Sequence, residues 1–411
     1  PTQKLLPIML TMAARYGDYG QEKFYYQNHG KNNSGEQDSC VHLYLNCKWG
    51  SKISKYQKKY ISTSRNKLSA KNFYLCTNCA AMEVVEIMKQ IKVIPLNQKY
   101  QITENLKVEF FNTPHLPGSV SIKINGINDA EETLVYSGDL GSGVSPFLKK
   151  QQYLNQARYL IVEGTYGSED RKIFSDRKDF QKYVGQKVKA DKRVIIPAFV
   201  LDRTQQVLYE ISEGIQTGYI PEKTKVKVFS PTAKKINKLY QKIFTSKLYT
   251  NYFSQEFINK GIFSNKFIKN NLVDDQHVSV EYGEIAVVSS GMADTGYSRR
   301  FVTQWIDDPD TVFVFVSYQA PETVGRRLTD ANQKTIEISD SKYQIKAEIK
   351  KYSCFHGHAN WNQIKKFIAE MDGLKKVLLV HTESSRDLIK KYSNVFPGID
   401  FIAPQAGSTL I

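Results

Sequence analysis

The chain has 411 residues, of which 41% are apolar, and lysine plus arginine outnumber aspartate plus glutamate by 57 to 41, for a formal net charge of +16. This length can bury a sizeable core and predicts two or three domains. The most apolar stretches, "RVIIPAFVL" (193–201) and "TVFVFVSY" (311–318), are far shorter than the roughly 20 residues that span a bilayer, so no membrane span is expected. The first residues do not resemble a secretory signal, so the expected location is the cytoplasm, or the nucleus in a eukaryote.

The excess positive charge is clustered in two regions. Residues 39–82 hold eight basic residues and no acidic one, with aromatic residues between them, and residues 223–272 hold eleven lysines against the single acid Glu256. Basic surface interleaved with aromatic rings suits a phosphate backbone with stacked bases. Nucleic acid is therefore a candidate partner, although a lysine-rich composition alone would also make any exposed face basic.

Residues 28–80 are polar, basic and weakly periodic, which is typical of an insertion or a mobile arm. Four of the five cysteines fall within this region, namely Cys40, Cys47, Cys76 and Cys79. Two cysteine pairs can hold a structural zinc ion, but the 40–47 spacing is wider than in the usual zinc knuckle. The alternative is that these cysteines are free and reduced, since five cysteines in a chain of this length do not form a disulfide scaffold.

The strand and helix patterns change along the chain. Residues 91–139 predict strands separated by turns, as in "KVEFFNTPH" and "ETLVYSGD", so we expect an antiparallel meander or one side of a β-sandwich. From residue 158 onward, apolar runs of strand length such as "KRVIIPAFVLDR" alternate with helical patterns such as "TQQVLYEISEGI". This alternation predicts an α/β architecture with largely parallel sheets.

Polar side chains stand at the ends of the apolar strands, where α/β proteins place their functional sites. They are His115, Asp139, Glu163, Ser289, Ser290, His358 and His381. Imidazoles and carboxylates are together the ligand types of a zinc or manganese hydrolase. Taken alone, each of these residues is more often a hydrogen-bonded structural residue than a metal ligand. Spacing alone does not distinguish the role of His356 from that of His358 in "CFHGHANW".

A series of motifs resembles, in its order, the β-CASP branch of the metallo-β-lactamase fold, which includes ribonuclease J and the endonuclease subunit of the pre-mRNA 3′-end cleavage complex. The motifs are "HLPGSVSI", "YSGDLGSG", "VEGTYGSEDRK", "VIIPAFVLDRTQQVLYEI", "SPTAKKINKLY", "VVSSGMADTG", "SYQAPETVGRRL", "CFHGHANWNQI" and "LLVHTE". The resemblance covers about residues 90–411. It implies an α/β fold in which a metallo-β-lactamase αββα sandwich, incomplete at the N-terminus, carries an inserted β-CASP α/β cap domain.

The resemblance also implies domain limits. Residues 1–170, with the basic insertion 28–80, and residues 340–411 would form the metallo-β-lactamase domain. Residues 171–339 would form the β-CASP domain, and the RNA cleft would lie between the two.

Carried over to this sequence, the resemblance implies that His115 and His381 are ligands of two different metal ions, which Asp139 bridges. The ions would be Zn²⁺, with Mn²⁺ as an alternative. His358 would protonate the oxygen that leaves phosphorus, with its ring hydrogen-bonded to Glu163. Phosphate would be bound by a Gly-containing loop and by arginines of the cleft, namely Ser289, Ser290, Gly291, Arg203, Arg326 and Arg327.

Two positions near His358 depart from the family pattern. His356 replaces a serine, and could act behind His358 or contact RNA. Asn360 replaces an aspartate, which leaves open how that loop is supported.

The family's His-x-His-x-Asp-His motif does not occur in the sequence. Because "LLPIMLTMAARYG" resembles the segment after this motif in relatives, we expect the sequence to begin downstream of it, with only His115, Asp139 and His381 of the ligand set. Two functions therefore remain open. The first is a two-metal RNA nuclease of RNA processing or decay, and the second is a non-catalytic paralogue that binds RNA or serves as a scaffold subunit of a processing complex. The partners would be RNA and either a second copy of the chain or processing-complex subunits.

Overall fold

The computed structural model describes Leu6, Met9 and residues 88–127, 132–167, 176–244, 252–257, 262–273, 278–330, 333–382, 385–405 and 407. The proposed site of Cys40, Cys47, Cys76 and Cys79 and the basic insertion 28–80 lie outside the described residues. Contacts divide the chain into residues 2–93 and a larger unit that contains residues 94–411. No helix in the described ranges is long and apolar enough to cross a bilayer.

The elements of the larger unit follow in chain order. Its first half contains β1 (Tyr100–Gln101), β2 (Lys107–Asn112), β3 (Val120–Ile127), β4 (Glu132–Tyr136), β5 (Tyr159–Glu163), α1 (Asp176–Lys189), β6 (Arg193–Pro197), α2 (Arg203–Gln216), β7 (Val226–Phe229) and α3 (Pro231–Phe244). Its second half contains α4 (Asn265–Asn270), β8 (Leu272–Val273), β9 (Ile285–Val288), α5 (Gly296–Trp305), β10 (Thr311–Phe315), α6 (Val324–Asp330), β11 (Thr335–Ile338), β12 (Ser341–Gln344), β13 (Glu348–Lys351), α7 (Trp361–Ala369), β14 (Lys376–Val380), α8 (Ser385–Val395) and β15 (Asp400–Ile402).

The first sheet has seven strands within the described residues, in the order β1-β2-β3-β4-β5-β14-β15. Strands β1 to β4 pair antiparallel, which confirms the meander predicted before residue 139, and the pairs from β4 to β15 are parallel. Val135, Leu160 and Val377 are in register and therefore share one face of the sheet. They belong to one buried core with Phe367 of α7 and Leu388 of α8.

The second sheet has six strands in the described part of the chain, in the order β13-β10-β6-β9-β7-β8, and every pair is parallel. The central strands β6 and β10 are buried along their whole length, which explains their uninterrupted apolar sequence. Phe313 of β10 packs with Phe301 of α5 and Leu328 of α6. The predicted α/β class with largely parallel sheets is therefore confirmed.

Strand β13 lies in the segment 340–411 that was assigned to the metallo-β-lactamase domain, yet it pairs with β10 of the second sheet, with Val312 opposite Glu348. The chain thus leaves the second sheet only after Lys351. The division into residues 1–170, 171–339 and 340–411 stays a prediction.

The chain leaves β6 and β10 in opposite directions, although these strands are neighbours. From β6 it continues through α2 to β7 on one side, whereas from β10 it continues to β13 on the other side. The loops at the carboxyl ends of two such strands diverge and leave a crevice, which is where open α/β sheets bind ligands. Here those loops are residues 198–202 and 316–323.

Candidate functional site

Four ionisable side chains converge at one edge of the first sheet. Asp139 lies shortly after β4, Glu163 ends β5, and His381 directly follows β14. These three strands are adjacent and parallel, so their carboxyl ends meet at one edge. Together with His358, these residues offer ligand-type atoms that all lie within 4.8 Å of one another. The structure therefore brings together residues that periodicity marked only as separate strand ends and that the resemblance predicted to form one site.

Asp139 lies between two imidazoles. Its Oδ2 is 3.6 Å from Nε2 of His115, and its Oδ1 is 3.3 Å from Nδ1 of His381. The loop after Asp139 approaches the His115 segment this closely because residue 141 is glycine: a Cβ on Gly141 would lie 2.1 Å from the carbonyl carbon of Pro114. A carboxylate with an imidazole beside each oxygen supplies the oxygen and nitrogen donors that a two-metal site needs.

The surroundings of His115 fit a metal ligand. Its Nδ1 lies 3.2 Å from the carbonyl oxygen of Gly357, which can only accept, so Nδ1 carries the proton. Burial lowers the pKa of His115 and the nearby His358 lowers it further, which favours the neutral ring despite the opposing effect of Asp139. The lone pair on Nε2 then faces a carboxylate oxygen of Asp139, and a cation held between these atoms would satisfy both. Metal-ligating histidines commonly donate their other N–H to a carbonyl in this way.

Glu163 is buried and bonded to His358. Its Oε2 lies 2.9 Å from Nδ1 of His358 and accepts the hydroxyl of Thr165 at 2.6 Å. Its Oε1 accepts the backbone N–H of Leu140 at 2.6 Å. Because both carboxylate oxygens are engaged by protein donors, Glu163 is suited to orient the imidazole rather than to bind a metal ion. The other ring nitrogen of His358 is left for a ligand in the adjoining cavity.

The rings of the three strand-end histidines form one cluster. The ring centres of His115 and His358 are 4.5 Å apart, and those of His358 and His381 are 5.3 Å apart. Tyr166 stands edge-on to His358, with ring centres 5.9 Å apart. Sequence reasoning missed Thr165 and Tyr166, although both immediately follow Glu163 and its glycine in "EGTYG".

The structure distinguishes the two histidines of "CFHGHANW". His356 is buried, its Nδ1 lies 2.7 Å from the carbonyl oxygen of Ser353, and its own carbonyl accepts the hydroxyl of Ser142 at 2.8 Å. His356 is thus tied to the backbone of its own loop, whereas His358 is bonded to the carboxylate of Glu163.

Asn360, the other departure from the family pattern, forms the N-cap of α7. Its side chain accepts the N–H of Gln363, whose side chain in turn accepts the N–H of Asn360. This reciprocal capping box supports the loop that carries His358.

A cavity of about 320 Å³ lies beside the histidine cluster. One wall comes from the crevice between β6 and β10, and includes the half-exposed rings of Phe199 and Tyr318. The opposite wall comes from His115, Tyr166 and the loop that carries His358. The candidate acid therefore faces the place where the topology of the second sheet predicts a ligand.

Arg203 lines this cavity, and some of its N–H groups are not used in hydrogen bonds among the described residues. Its Nε and Nη1 are buried and make no hydrogen bond within the part of the chain that is described. Burial lowers the pKa of Arg203, which Asp202 partly offsets. A buried guanidinium with unused donors next to a cavity suits an anionic ligand such as phosphate.

The other predicted phosphate-binding residues have different surroundings. Arg326 lines the cavity and forms an ion pair with Asp330, whereas its neighbour Arg327 donates to the carbonyl of Glu337 at 2.8 Å. The Ser289–Ser290–Gly291 loop follows β9, and a Cβ on Gly291 would lie 3.0 Å from the backbone nitrogen of Phe199. The structure therefore brings Arg203 and Arg326 to the cavity and puts Gly291 against its wall. Arg327, Ser289 and Ser290 are not among the described residues that line it.

Two family models match parts of the chain. The Beta-Casp domain model matches residues 204–328, and the model of the Zn-dependent metallo-hydrolase RNA specificity domain matches residues 342–396. The first match covers most of the second sheet and its helices, and the second includes His358 and His381.

Curated proteins are similar to the chain over most of its length. The RNase J-like protein of Methanocaldococcus jannaschii is 26% identical over 74% of this chain and 70% of its own length. RNase aCSPSF2 of Saccharolobus solfataricus is 26% identical over 80% of this chain and 63% of its own length. Integrator complex subunit 11 of Gallus gallus is 25% identical over 74% of this chain and 49% of its own length. The chain thus spans about half to 70% of the relatives that it matches.

Proposed function

Because the chain belongs to the β-CASP branch of the metallo-β-lactamase-fold RNA nucleases, we propose that the protein is a metal-dependent ribonuclease that hydrolyses phosphodiester bonds. The observation that carries this proposal is the Glu163–His358 pair, 2.9 Å apart, beside a carboxylate flanked by two imidazoles.

The name of the second matching family supports a metal cofactor, with zinc as the natural choice. His115 and His381 would hold two separate ions and Asp139 would be a ligand of both, with Mn²⁺ as the alternative metal. When bound, such ions polarise phosphate oxygens and stabilise the charge that develops at phosphorus. Each ion would need further ligands besides these three residues.

His358 acts as the general acid. A water oxygen adds to phosphorus and releases a proton to solvent while the bond from phosphorus to the leaving oxygen breaks, and the ring nitrogen of His358 opposite Glu163 gives its proton to that oxygen. Glu163 accepts the Nδ1–H of His358, which fixes the tautomer and stabilises the imidazolium before transfer. Burial of Glu163 keeps solvent from competing for this hydrogen bond.

RNA enters through the cavity between the two sheets. Arg203 donates to a phosphate oxygen with the N–H groups that have no partner among the described residues, and Arg326 adds positive charge at the same cavity. Phe199 and Tyr318 offer aromatic surface to a base. Further from the cleavage point, the RNA chain is contacted by the loop Ser289–Ser290–Gly291 and by Arg327.

The larger assembly follows from the same resemblance. Residues 1–170 and 340–411 form the metallo-β-lactamase domain, and residues 171–339 the β-CASP cap. The protein works in the cytoplasm, or in the nucleus of a eukaryote, as a homodimer or as a subunit of a processing complex, as the name of the Integrator relative indicates for that protein.

The test is removal of the bridging carboxylate from the complete protein. Asp139→Ala should lower metal content, measured by elemental analysis, and reduce Zn²⁺- or Mn²⁺-dependent cleavage of a single-stranded RNA by at least about 100-fold, because loss of outer partners of a metal site already costs about 10 to 100-fold. Asp310→Ala, which removes an exposed carboxylate paired with Lys192, is the matched control. Cleavage that survives Asp139→Ala would contradict the proposal. RNA binding without any cleavage by the parent protein would instead favour the non-catalytic scaffold.

A further inference from the structure

Thr165 holds a position between the two halves of the proposed site. It follows β5 by two residues, where the chain runs against the loop after β14. This approach requires glycine at 164, because a Cβ there would lie 2.8 Å from Cδ1 of Leu388 and 3.1 Å from Cβ of Thr382. The N–H of Gly164 bonds to the carbonyl of Val380 at 2.9 Å, so the ladder between the strands continues up to Thr165.

The hydroxyl of Thr165 touches three polar atoms. It lies 2.6 Å from Oε2 of Glu163, 3.2 Å from Nδ1 of His381, and 3.2 Å from the carbonyl oxygen of His381. A hydroxyl has one proton to donate, and the shortest contact, to a carboxylate, takes it. The oxygen of Thr165 is then free to accept from Nδ1 of His381.

This assignment fixes the tautomer of His381. Nδ1 faces the hydroxyl oxygen of Thr165 and, at 3.3 Å, Oδ1 of Asp139, and both of these atoms accept. A proton on Nδ1 is therefore favoured, and the lone pair of the neutral ring is on Nε2. The backbone of His381 is left-handed, with φ of 51°, and in this conformation its carbonyl also approaches the hydroxyl of Thr165.

We propose that Thr165 is a positioning residue that links the two halves of the site: its hydroxyl holds Glu163 against His358 and fixes His381 as the Nδ1–H tautomer, so that Nε2 is the metal-ligating atom. The inference rests on the proposed function for its use in catalysis. The tautomer of His381, which the hydroxyl of Thr165 sets, does not depend on whether the protein cleaves RNA.

Thr165→Val tests the link because it replaces the hydroxyl by a methyl group of similar size, and Thr165→Ser keeps the hydroxyl. Thr303→Val is the matched control, since the hydroxyl of Thr303 bonds to the carbonyl of Arg300 in its own helix and to no other group among the described residues. The chain has seven histidines, so ¹⁵N NMR of histidine-labelled protein can resolve their tautomers, with His381→Gln used for assignment. Circular dichroism and thermal melting check folding, and Thr165→Ala replaces the valine variant if that variant unfolds.

The parent protein, Thr165→Ser and Thr303→Val should show His381 mainly as the Nδ1–H tautomer, and Thr165→Val should show a mixture. Zn²⁺ affinity, measured by competition with a chelator, should fall about 10 to 100-fold in Thr165→Val and recover in Thr165→Ser. An unchanged tautomer, or an affinity that Thr165→Ser does not restore, would overturn the inference. Because both measurements are made without RNA, a protein that cleaves no RNA would refute the nuclease proposal and leave the result on Thr165 standing.

Discussion

The carboxylate of Glu163 and the imidazole of His358 lie 2.9 Å apart although 195 positions separate them in the chain. Glu163 ends a strand of the first sheet, whereas His358 lies on the loop that leaves the second sheet after β13. The candidate proton donor is thus assembled from both sheets. Its orientation depends on a carboxylate that is buried and already accepts two other donors.

Glu163→Gln should reduce turnover of RNA by the complete protein about 10² to 10⁴-fold, which is the usual worth of a positioned proton donor. The amide preserves the size of the side chain but replaces one acceptor by an N–H that faces Nδ1 of His358, so the tautomer needed for proton transfer is lost. Metal content by elemental analysis should not change. Glu104→Gln, at an exposed turn, is the matched control. Unaltered turnover in Glu163→Gln would exclude the assigned role of this carboxylate.

Arg203→Met should weaken binding of a short single-stranded RNA about 10 to 100-fold, since a hydrogen bond to a charged group contributes about 1.5–3 kcal/mol. The dependence of affinity on salt should also become shallower by about one unit, because one phosphate contact is lost. Fluorescence anisotropy at several salt concentrations measures both quantities. Arg327→Met is the informative comparison, because Arg327 already bonds to the carbonyl of Glu337 and does not line the cavity. Equal losses in the two variants would contradict the assignment of Arg203.

Phe147→Ala should lower the free energy of unfolding by about 3–5 kcal/mol, as expected for a fully buried aromatic ring. Phe147 lies on the loop after Asp139, and its ring packs edge-on against Tyr209, Tyr240 and Phe244. Urea denaturation measures the loss, with Phe199→Ala at the half-exposed cavity wall as the control. A loss below about 1 kcal/mol would show that this ring does not anchor the loop to helices α2 and α3.

Asn360→Ala should lower the free energy of unfolding by about 0.5–2 kcal/mol, because α7 loses its capping box. Asn360→Asp should stay within about 0.5 kcal/mol of the parent, since aspartate caps a helix as well as asparagine does and its charge suits the N-terminus. Thermal or urea unfolding distinguishes the two. A destabilised aspartate variant would mean that the asparagine amide has a further partner in this loop.

The parts of the site that the sequence predicted are those that local pattern determines. Asp139, Glu163 and His381 each follow an apolar run, and parallel neighbouring strands bring such ends to one edge without further information. The family motif distinguished His358 from His356 as the candidate acid. The structure adds that His356 contacts the carbonyl of Ser353, whereas His358 contacts Glu163.

Other features depend on contacts that no local pattern encodes. Arg326 and Arg327 are consecutive residues of one helix, so their side chains point in different directions. Arg326 lines the cavity, whereas Arg327 bonds to the carbonyl of Glu337. Strand β13 is half-buried and has no continuous apolar run, so its pairing with β10 could not be read from composition. Thr165 acts through a hydroxyl whose three neighbours come from two separate strand ends.

Strand β13 has a mechanical consequence. It is the last element of the second sheet, and seven residues later His358 forms a bridge with Gly141 of the loop that carries Asp139. Because this connection is short, a shift of the second sheet relative to the first is transmitted to His358 and to its 2.9 Å contact with Glu163. The distance between the candidate acid and its carboxylate therefore depends on how the two sheets pack against each other.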